Sequence, residues 1–246
     1  MVEPLFISPI SSDVSIGSKV RISGAEAKHA LAVKRMQPGE AISISDGLGT
    51  KLRGKVTLAT KEFLELEVSA IEQLERPKPS LTLIQALAKG DRDELAVQAC
   101  TELGIDTVIP WQADRSVSIW KHDKKTKGQL RWQAIATEAA KQSLRAFIPT
   151  VEPVLGTEEL FERLRGFDVC LVLDPTAKVS ITSVELSASN SIAIVVGPEG
   201  GITDQELQAL QRAGGLLVSL GSGILRTSTA GVAVVSYLQA KLGNWS

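Results

Sequence analysis

The stretch AIVVGPEGGITDQEL, Ala193 to Leu207, runs from an apolar segment of strand length into Gly-Pro-Glu-Gly-Gly and then into a helix start. Thr203-Asp-Gln-Glu206 has the form of a capping box. The threonine hydroxyl accepts from the third helical amide, and the glutamate reaches back to the cap. The helix therefore caps itself, and Gly197, Gly200 and Gly201 are left to explain. Glycine permits positive φ and lets another group come close to the backbone. The three glycines either close a tight strand–helix connection or present bare backbone to a ligand. A little further on, SLGSGILRTSTAG, Ser219 to Gly231, repeats the layout of apolar strand, glycine turn and helix start.

Working outward, the chain from about residue 80 alternates between strands and helices. Leu81–Leu87, Asp106–Trp111, Asp168–Leu173, Ser191–Val196 and Gly215–Leu220 are short, mostly apolar runs, as expected of a parallel sheet covered on both faces. Asp91–Gly104, Gln129–Ala146, Gly156–Leu164, Thr203–Arg212 and Thr227–Leu242 are expected helices, with Gly104 as a C-terminal stop. This is an α/β sheet fold. In such sheets ligands bind beyond the carboxyl ends of the strands, where both glycine turns lie.

The first part of the chain reads differently. Lys19–Ser23, Ala41–Gly47, Lys51–Leu58 and Phe63–Ser69 alternate apolar and polar residues, the mark of half-buried strands. Asp46-Gly47 with Gly49 marks a hairpin turn, and Gly24–Glu40 holds a short helix stopped by Pro38-Gly39. A small β-barrel with one helix fits this pattern. ERPKPS, Glu75–Ser80, breaks all periodicity and reads as a linker. The expected division is a β-barrel domain over residues 1–75 and an α/β domain over residues 76–246.

Charge is uneven along the 246 residues. Residues 151–246 carry 6 Lys and Arg against 10 Asp and Glu, out of 27 and 28 in all, which leaves 21 against 18 in the first 150. A basic bias there is compatible with a nucleic-acid face and equally with ordinary surface variation. Cys100 and Cys170 sit apart in apolar contexts and are expected as buried free thiols of a reducing compartment. With His29 and His122 they have no metal-ligand spacing, so no metal is expected. MVEPLFISPI lacks a basic start and a long apolar core, and no apolar run reaches membrane-spanning length. A soluble, cytoplasmic protein is expected.

Known phosphate cradles fit the glycine turns poorly. No Gly-x-x-x-x-Gly-Lys-Ser/Thr occurs, and Gly221-Ser-Gly223-Ile-Leu-Arg226 has arginine where the dinucleotide fingerprint needs its third glycine. Glu199 would repel a phosphate. A carboxylate and free amides beside Ile224 and Leu225 suit a neutral adenine and a sulfonium-bearing amino acid better. VVGPEGGITDQEL together with LGSGILRTSTAG resembles the cofactor-binding end of the SPOUT class of methyltransferases. The chain more closely resembles the bacterial 16S rRNA uracil-N3 methyltransferase family. AEAKHALAVKRMQPGEAISISDG is similar to the PUA-like N-terminal domain of that family. QALAKGDRDELAVQACTELGIDTVIPWQADRS and RWQAIATEAAKQSLRAFIPTVEPV are similar to its middle segments.

That resemblance implies a C-terminal α/β domain closed by a trefoil knot, with S-adenosylmethionine as cofactor. It implies contacts to the cofactor from Leu173, Val196, Gly197, Glu199, Gly200, Gly201, Leu220, Gly221, Ser222, Ile224, Leu225 and Thr227. It further implies a homodimer with active sites at the interface, and a substrate in 16S rRNA or the small ribosomal subunit. The family often has an acidic residue after LRT and an Arg or Pro inside the preceding turn. Ser228 and Ser222-Gly223 stand at those places here.

Uracil N3 carries a proton and becomes a good nucleophile only once that proton leaves, so the site needs a donor for the developing negative charge. Arg226, at the start of the last helix, is the first candidate catalytic cation; its alternative role is an ion pair across a dimer. Glu199 is a candidate cofactor contact or proton acceptor, or else a brace for its turn. Arg35, Lys89, Arg92 and Arg115, in KRM, AKGDR and DRS, match RNA-binding positions of the family. On the helix expected over Gln129–Ala146, Arg131, Gln142 and Arg145 share one face and are RNA-binding candidates as well. KHDKKTK, Lys121–Lys127, is either a phosphate grip or a solvated loop. Two rivals stay open: a nonenzymatic RNA-binding protein with a degenerate knot, and a nucleotide-dependent oxidoreductase on the same sheet.

Overall fold

The structure is a computed structural model and describes residues 3–186 and 189–245. Its contacts divide the chain into two units. One runs up to Arg76 and includes Ala140–Ile148; the other is Pro77–Ala139 with the residues from Pro149 onward.

The first unit is a five-stranded sheet. Its strands are β1 (Leu5–Ile7), β2 (Lys19–Ser23), β3 (Ala41–Ser45), β4 (Thr50–Ala59) and β5 (Phe63–Gln73), in the order β1-β3-β4-β5-β2. All pairings are antiparallel except β1 with β3. β1 escapes sequence reading because three residues are too few to show alternation. Register shifts between Arg53 and Gly54 and between Val56 and Leu58 interrupt the β4–β5 ladder. Such bulges bend a strand and curl a sheet. Helix α1 (Gly24–Lys28) runs on into a π-helical turn over His29–Val33, and Ala30 joins Phe6, Ile22, Ile42, Leu52, Leu64 and Leu66 in the core.

Residues 140–148 join this unit through specific bonds. The Ser45 hydroxyl donates to the Ala146 carbonyl at 3.1 Å, and the Gly49 amide donates to the same carbonyl at 3.1 Å. The Arg76 guanidinium lies 4.7 Å from the centre of the Phe147 ring. Lys141, whose side chain is only 3% exposed, pairs with Glu26 at 2.7 Å. A buried ammonium without such a partner would be costly, so the pair fixes where this segment lies.

The second unit alternates β6 (Ser80–Ala86), α2 (Arg92–Leu103), β7 (Thr107–Trp111), α3 (Asp123–Gln142), β8 (Thr150–Val151), α4 (Thr157–Leu164), β9 (Val169–Leu173), β10 (Val179–Ser180), β11 (Ser191–Val196), α5 (Asp204–Arg212), β12 (Gly215–Ser219) and α6 (Thr227–Lys241). The seven strands are all parallel, in the order β10-β12-β9-β11-β6-β7-β8. Each central strand buries both faces. Leu83, Ile192, Ile194 and Val196 pack with Val97, Cys100, Trp132 and Val234 on one side. Ile84, Ala193, Val195 and Val172 pack with Trp111, Leu160 and Leu210 on the other. That is why these strands read as apolar runs. Burial pushes the thiol of Cys100 up to about 12 and that of Cys170 up to about 11, so both are unreactive at neutral pH.

One helix departs from expectation. α3 begins at Asp123 and ends at Gln142, where Gln129 and Ala146 were expected. Gly128 lies inside the helix, with the Trp120 ring packed on it; a Cβ there would lie 2.5 Å from the ring. Most of KHDKKTK is therefore helix, and the loop expected there is confined to its first residues. Leu144, at φ +58°, turns the chain before Arg145, so Arg145 leaves the helical face shared by Arg131 and Gln142. No described helix is long and apolar enough to cross a membrane.

Candidate functional site

β9 lies between β11 and β12 in the sheet, although it comes first in the chain. The carboxyl ends of these three strands open into one cavity of about 620 Å³ within the second unit. Leu173, Val196, Gly197, Glu199, Gly201, Leu220, Ile224, Leu225, Arg226 and Thr227 line it, as does Arg92. Gly200, Gly221 and Ser222 do not. The cavity also takes in Asp174-Pro175-Thr176, Ile202, Asp204 and Leu207, which the sequence did not single out. The signal available for the first group was LDPT at a strand end. The Asp174 carboxylate accepts from the Thr176 amide at 2.8 Å and its hydroxyl at 2.9 Å, the closed turn that Asp favours.

The capping box forms as read. The Glu206 amide donates to Thr203 Oγ1 at 3.2 Å, and the Thr203 amide donates to Glu206 Oε2 at 3.0 Å. An N-cap of this kind is worth about 1 kcal/mol. Glu206 goes further, since its Oε1 accepts from the Asp114 amide at 2.9 Å and the Thr157 hydroxyl at 3.1 Å. The cap thus ties the loop after β7 and the start of α4 to the first glycine turn.

The glycines of that turn have reasons inside the chain. A Cβ on Gly197 would come within 2.6 Å of the Ile202 side chain, one on Gly200 within 3.1 Å of Arg115 Cβ, and Gly201 holds φ +72°. Packing and backbone angle account for them within the chain, whereas the sequence alone also pointed to a ligand's approach. Gly223 of the second turn is different: a Cβ there meets nothing within 4 Å, and the residue lines the cavity.

Glu199 is committed to its surroundings. Its Oε1 accepts from the Lys89 amide at 3.0 Å and from Arg92 Nη1 at 2.9 Å. Burial pushes the carboxyl up, but the Glu199 and Lys89 amides and Arg92 together outweigh burial and hold it below the usual carboxylate range. Such a carboxylate is a weak base. The neighbouring loop is pinned from its other side by Asp93, 4% exposed, which accepts from the Ala88 amide at 2.9 Å. Burial pushes the Asp93 carboxyl up despite that bond and the one from Glu94.

The second turn is held by one buried hydroxyl. Thr227 Oγ1 accepts from Gln85 Nε2 at 2.8 Å and donates to the Gly197 carbonyl at 2.8 Å. Next to it, Arg226 stands exposed at the N-cap of α6 and has no side-chain bond or ion pair among the described residues.

The expected RNA-binding residues divide. Lys89, Arg92 and Arg115 gather at the first glycine turn, where Arg115 Nη1 donates to the Gly200 carbonyl at 3.0 Å. Arg131 donates to Glu94 at 2.8 Å. Arg92, Arg115 and Arg131 thus each hold a protein partner, while the Arg92 and Arg131 side chains stay 44% and 68% exposed. Arg35, Gln142 and Arg145 belong to the first unit; Arg35 is exposed, with φ +54°.

Residues 75–239 match a family model described as an RNA methyltransferase domain, and residues 22–69 match an RNA methyltransferase PUA domain. Over its full length the chain is 37% identical to ribosomal RNA small subunit methyltransferase E of Mycobacterium bovis, covering 94% of that protein. It is 33% identical to the Bacillus subtilis protein of the same name, across 92% of this chain and 91% of the relative. Ribosomal RNA small subunit methyltransferase E from Neisseria gonorrhoeae, solved bound to S-adenosyl methionine, superposes with a TM-score of 0.86 at 31% identity, over 98% of both chains. A Legionella pneumophila methyltransferase in complex with the same cofactor gives 0.86 at 25% identity, again over 98% of both chains. With the three strand-end loops meeting at one cavity and relatives matched from end to end, this chain belongs to the RNA methyltransferase family, among the ribosomal RNA small subunit methyltransferases E.

Proposed function

We propose that this enzyme methylates N3 of a uridine in 16S rRNA, with S-adenosylmethionine bound in the cavity at the ends of β9, β11 and β12. The observation that carries this is the cavity itself, in a chain that superposes throughout on a cofactor-bound relative. The lining fits that cofactor. About 620 Å³ is ligand-sized. Leu173, Val196, Leu220 and Ile224 offer an apolar bed for a ring, and Gly223 leaves open backbone beside it. The cofactor supplies a methyl group on a sulfonium, ready for in-line displacement. The chain supplies alignment and a place for charge. Arg226 has its guanidinium uncommitted at the cavity and donates to a uracil carbonyl oxygen as the N3 proton passes to solvent, so that N3 takes the methyl group from sulfur and S-adenosylhomocysteine leaves. Glu199 is a fastener of the first turn rather than the proton acceptor, because its carboxylate is already engaged and held weakly basic.

Further features belong to the same proposal. The curled sheet of the first unit closes as a PUA-like barrel and grips RNA phosphates through residues such as Arg35 and Arg145. The RNA-binding part is residues 1–75, joined by Ala140–Ile148, and the catalytic part is the rest of residues 76–246. The chain from β9 through β11 to β12 and back along α6 forms a trefoil knot; the placing of β12 on the far side of β9 from β11 supports this. Two copies pair, with Ile224, 82% exposed, and Leu225, 43% exposed, as apolar surface for the partner to cover. The substrate is 16S rRNA, free or within the small subunit, and the enzyme works in the cytoplasm. Mass spectrometry of 16S rRNA nucleosides tests the central claim. A strain lacking the gene should lose N3-methyluridine and regain it on complementation; retention of the modification overturns the assignment.

A further inference from the structure

Gln85 is fully buried near the carboxyl end of β6, at 0% exposure. It stands in register with Val196 of β11 and Pro110 of β7, on a strand whose other buried residues are Leu81, Thr82, Leu83, Ile84 and Ala86. Its amide nitrogen donates to Thr227 Oγ1 at 2.8 Å and to the Ala86 carbonyl at 3.1 Å. The Thr227 proton is directed to the Gly197 carbonyl at 2.8 Å. The chain of bonds therefore runs one way, from Gln85 through Thr227 to Gly197. Turning the amide over would set its oxygen against the Ala86 carbonyl, so the orientation follows from the partners. Gln85 Oε1 is then left buried with no hydrogen-bond partner among the described residues. A buried acceptor without a donor is unfavourable, and an apolar side chain of similar shape would avoid it. Stability alone does not favour glutamine here.

We propose that Gln85 is a positioning residue for cofactor binding: through Thr227 it sets the distance between the first glycine turn and the start of α6, and so the spacing of two walls of the cavity. This rests on the assignment of that cavity to S-adenosylmethionine. Gln85 itself does not line the cavity; Thr227, Gly197 and Val196 do. To the apolar packing of Val196 and Leu83 on Ala230 and Val234, the relay adds the one side-chain hydrogen bond, among those described, between the first glycine turn and the start of α6.

The test compares Gln85→Met, Thr227→Val, Thr227→Ser and the double variant Gln85→Met/Thr227→Val in the full-length protein. Calorimetry with S-adenosylmethionine gives the Kd, and melting of the unliganded protein gives the Tm. Gln85→Met should keep or raise the Tm while weakening cofactor binding by about tenfold to a hundredfold, the scale of a small misplacement of binding groups. Thr227→Val should weaken binding similarly, and Thr227→Ser, which keeps the hydroxyl, should bind close to wild type. The double variant should be no worse than Thr227→Val, because both changes cut one relay. A Gln85→Met protein that binds as wild type overturns the proposal. So does one that fails to fold or loses Tm in step with affinity, since that makes Gln85 a structural residue. Additive losses in the double variant also overturn it. If the wild-type protein does not bind S-adenosylmethionine, the cofactor assignment falls and this proposal with it; wild-type binding with an unaffected Gln85→Met overturns the relay alone.

Discussion

The two glycine turns look alike in sequence and differ in the folded chain. GPEGG is braced on every side. Ile202 packs against Gly197, Arg115 against Gly200, Glu199 is tied to Lys89 and Arg92, and Glu206 caps the helix that follows. GSGIL is open: Gly221 and Gly223 have no neighbour within 4 Å of a built Cβ, Ile224 is 82% exposed, and Arg226 has no partner among the described residues. The first turn is a finished wall of the cavity. The second leaves apolar and cationic groups for something outside the chain to meet. One pattern of strand, glycines and helix start thus serves two physical ends, and the side chains that pack against each turn decide which.

Arg226 gives the largest expected effect and bears on the open turn. If its guanidinium stabilises charge that develops only during transfer, Arg226→Ala lowers the single-turnover rate by about 10²–10³, or about 2.7–4 kcal/mol, with little change in cofactor Kd. Arg226→Lys recovers part of the loss, because a point charge lacks the planar fork. Sedimentation of the same variant tests the competing role: a protein that has fallen to monomers and lost activity for that reason makes Arg226 an interface residue.

The glycines themselves sharpen the contrast. Gly197→Val drives a side chain into Ile202 and should lower stability by about 1–3 kcal/mol, the usual scale of overpacking. At Gly223 an added Cβ meets no described atom within 4 Å, so Gly223→Val should leave the Tm near wild type while weakening cofactor binding. Equal melting losses in the two variants would erase the distinction between the turns.

The brace on Glu199 predicts a pH profile. Its folded pKa lies below the ordinary glutamate value of 4.5, so the carboxylate contributes stability above that value and loses it only as pH falls through the lower folded pKa. Cofactor affinity should stay flat from neutral pH down to about pH 5 and should not carry a glutamate-like titration near neutrality. Arg92→Gln removes the cationic partner and should shift any acidic decline to higher pH. The smallest effect is expected away from both turns. Arg35→Ala should weaken RNA binding, reduce its salt dependence by about one phosphate contact and leave cofactor Kd unchanged. RNA affinity insensitive to salt and to this substitution would remove Arg35 from the RNA surface.

The sequence by itself determined what local chemistry determines. The apolar runs of β6, β9, β11 and β12, the alternating strands of the first unit, the Gly104 stop with φ +95° and the Thr203–Glu206 cap all depend on residues a few positions apart. Periodicity and short-range hydrogen bonds are printed in the order of the chain, so these features could be read directly. About half of the cavity lining was named as well, through the family resemblance of the two glycine-turn motifs. The start of α3 was read too late: the helix already holds Gly128, whose place there depends on the Trp120 ring packed against it. What only the tertiary structure decided is which distant segments meet. The order of strands brings Asp174–Thr176, just past β9, between the two glycine turns. Folding pairs Glu199 with Arg92, 107 positions away, and Gln85 with Thr227, 142 positions away. It also gives Arg92, Arg115 and Arg131 protein partners that the sequence does not announce. A cation or a buried amide shows its type in the sequence, but its role depends on what packs against it, and that neighbour is set by contacts across the whole sheet.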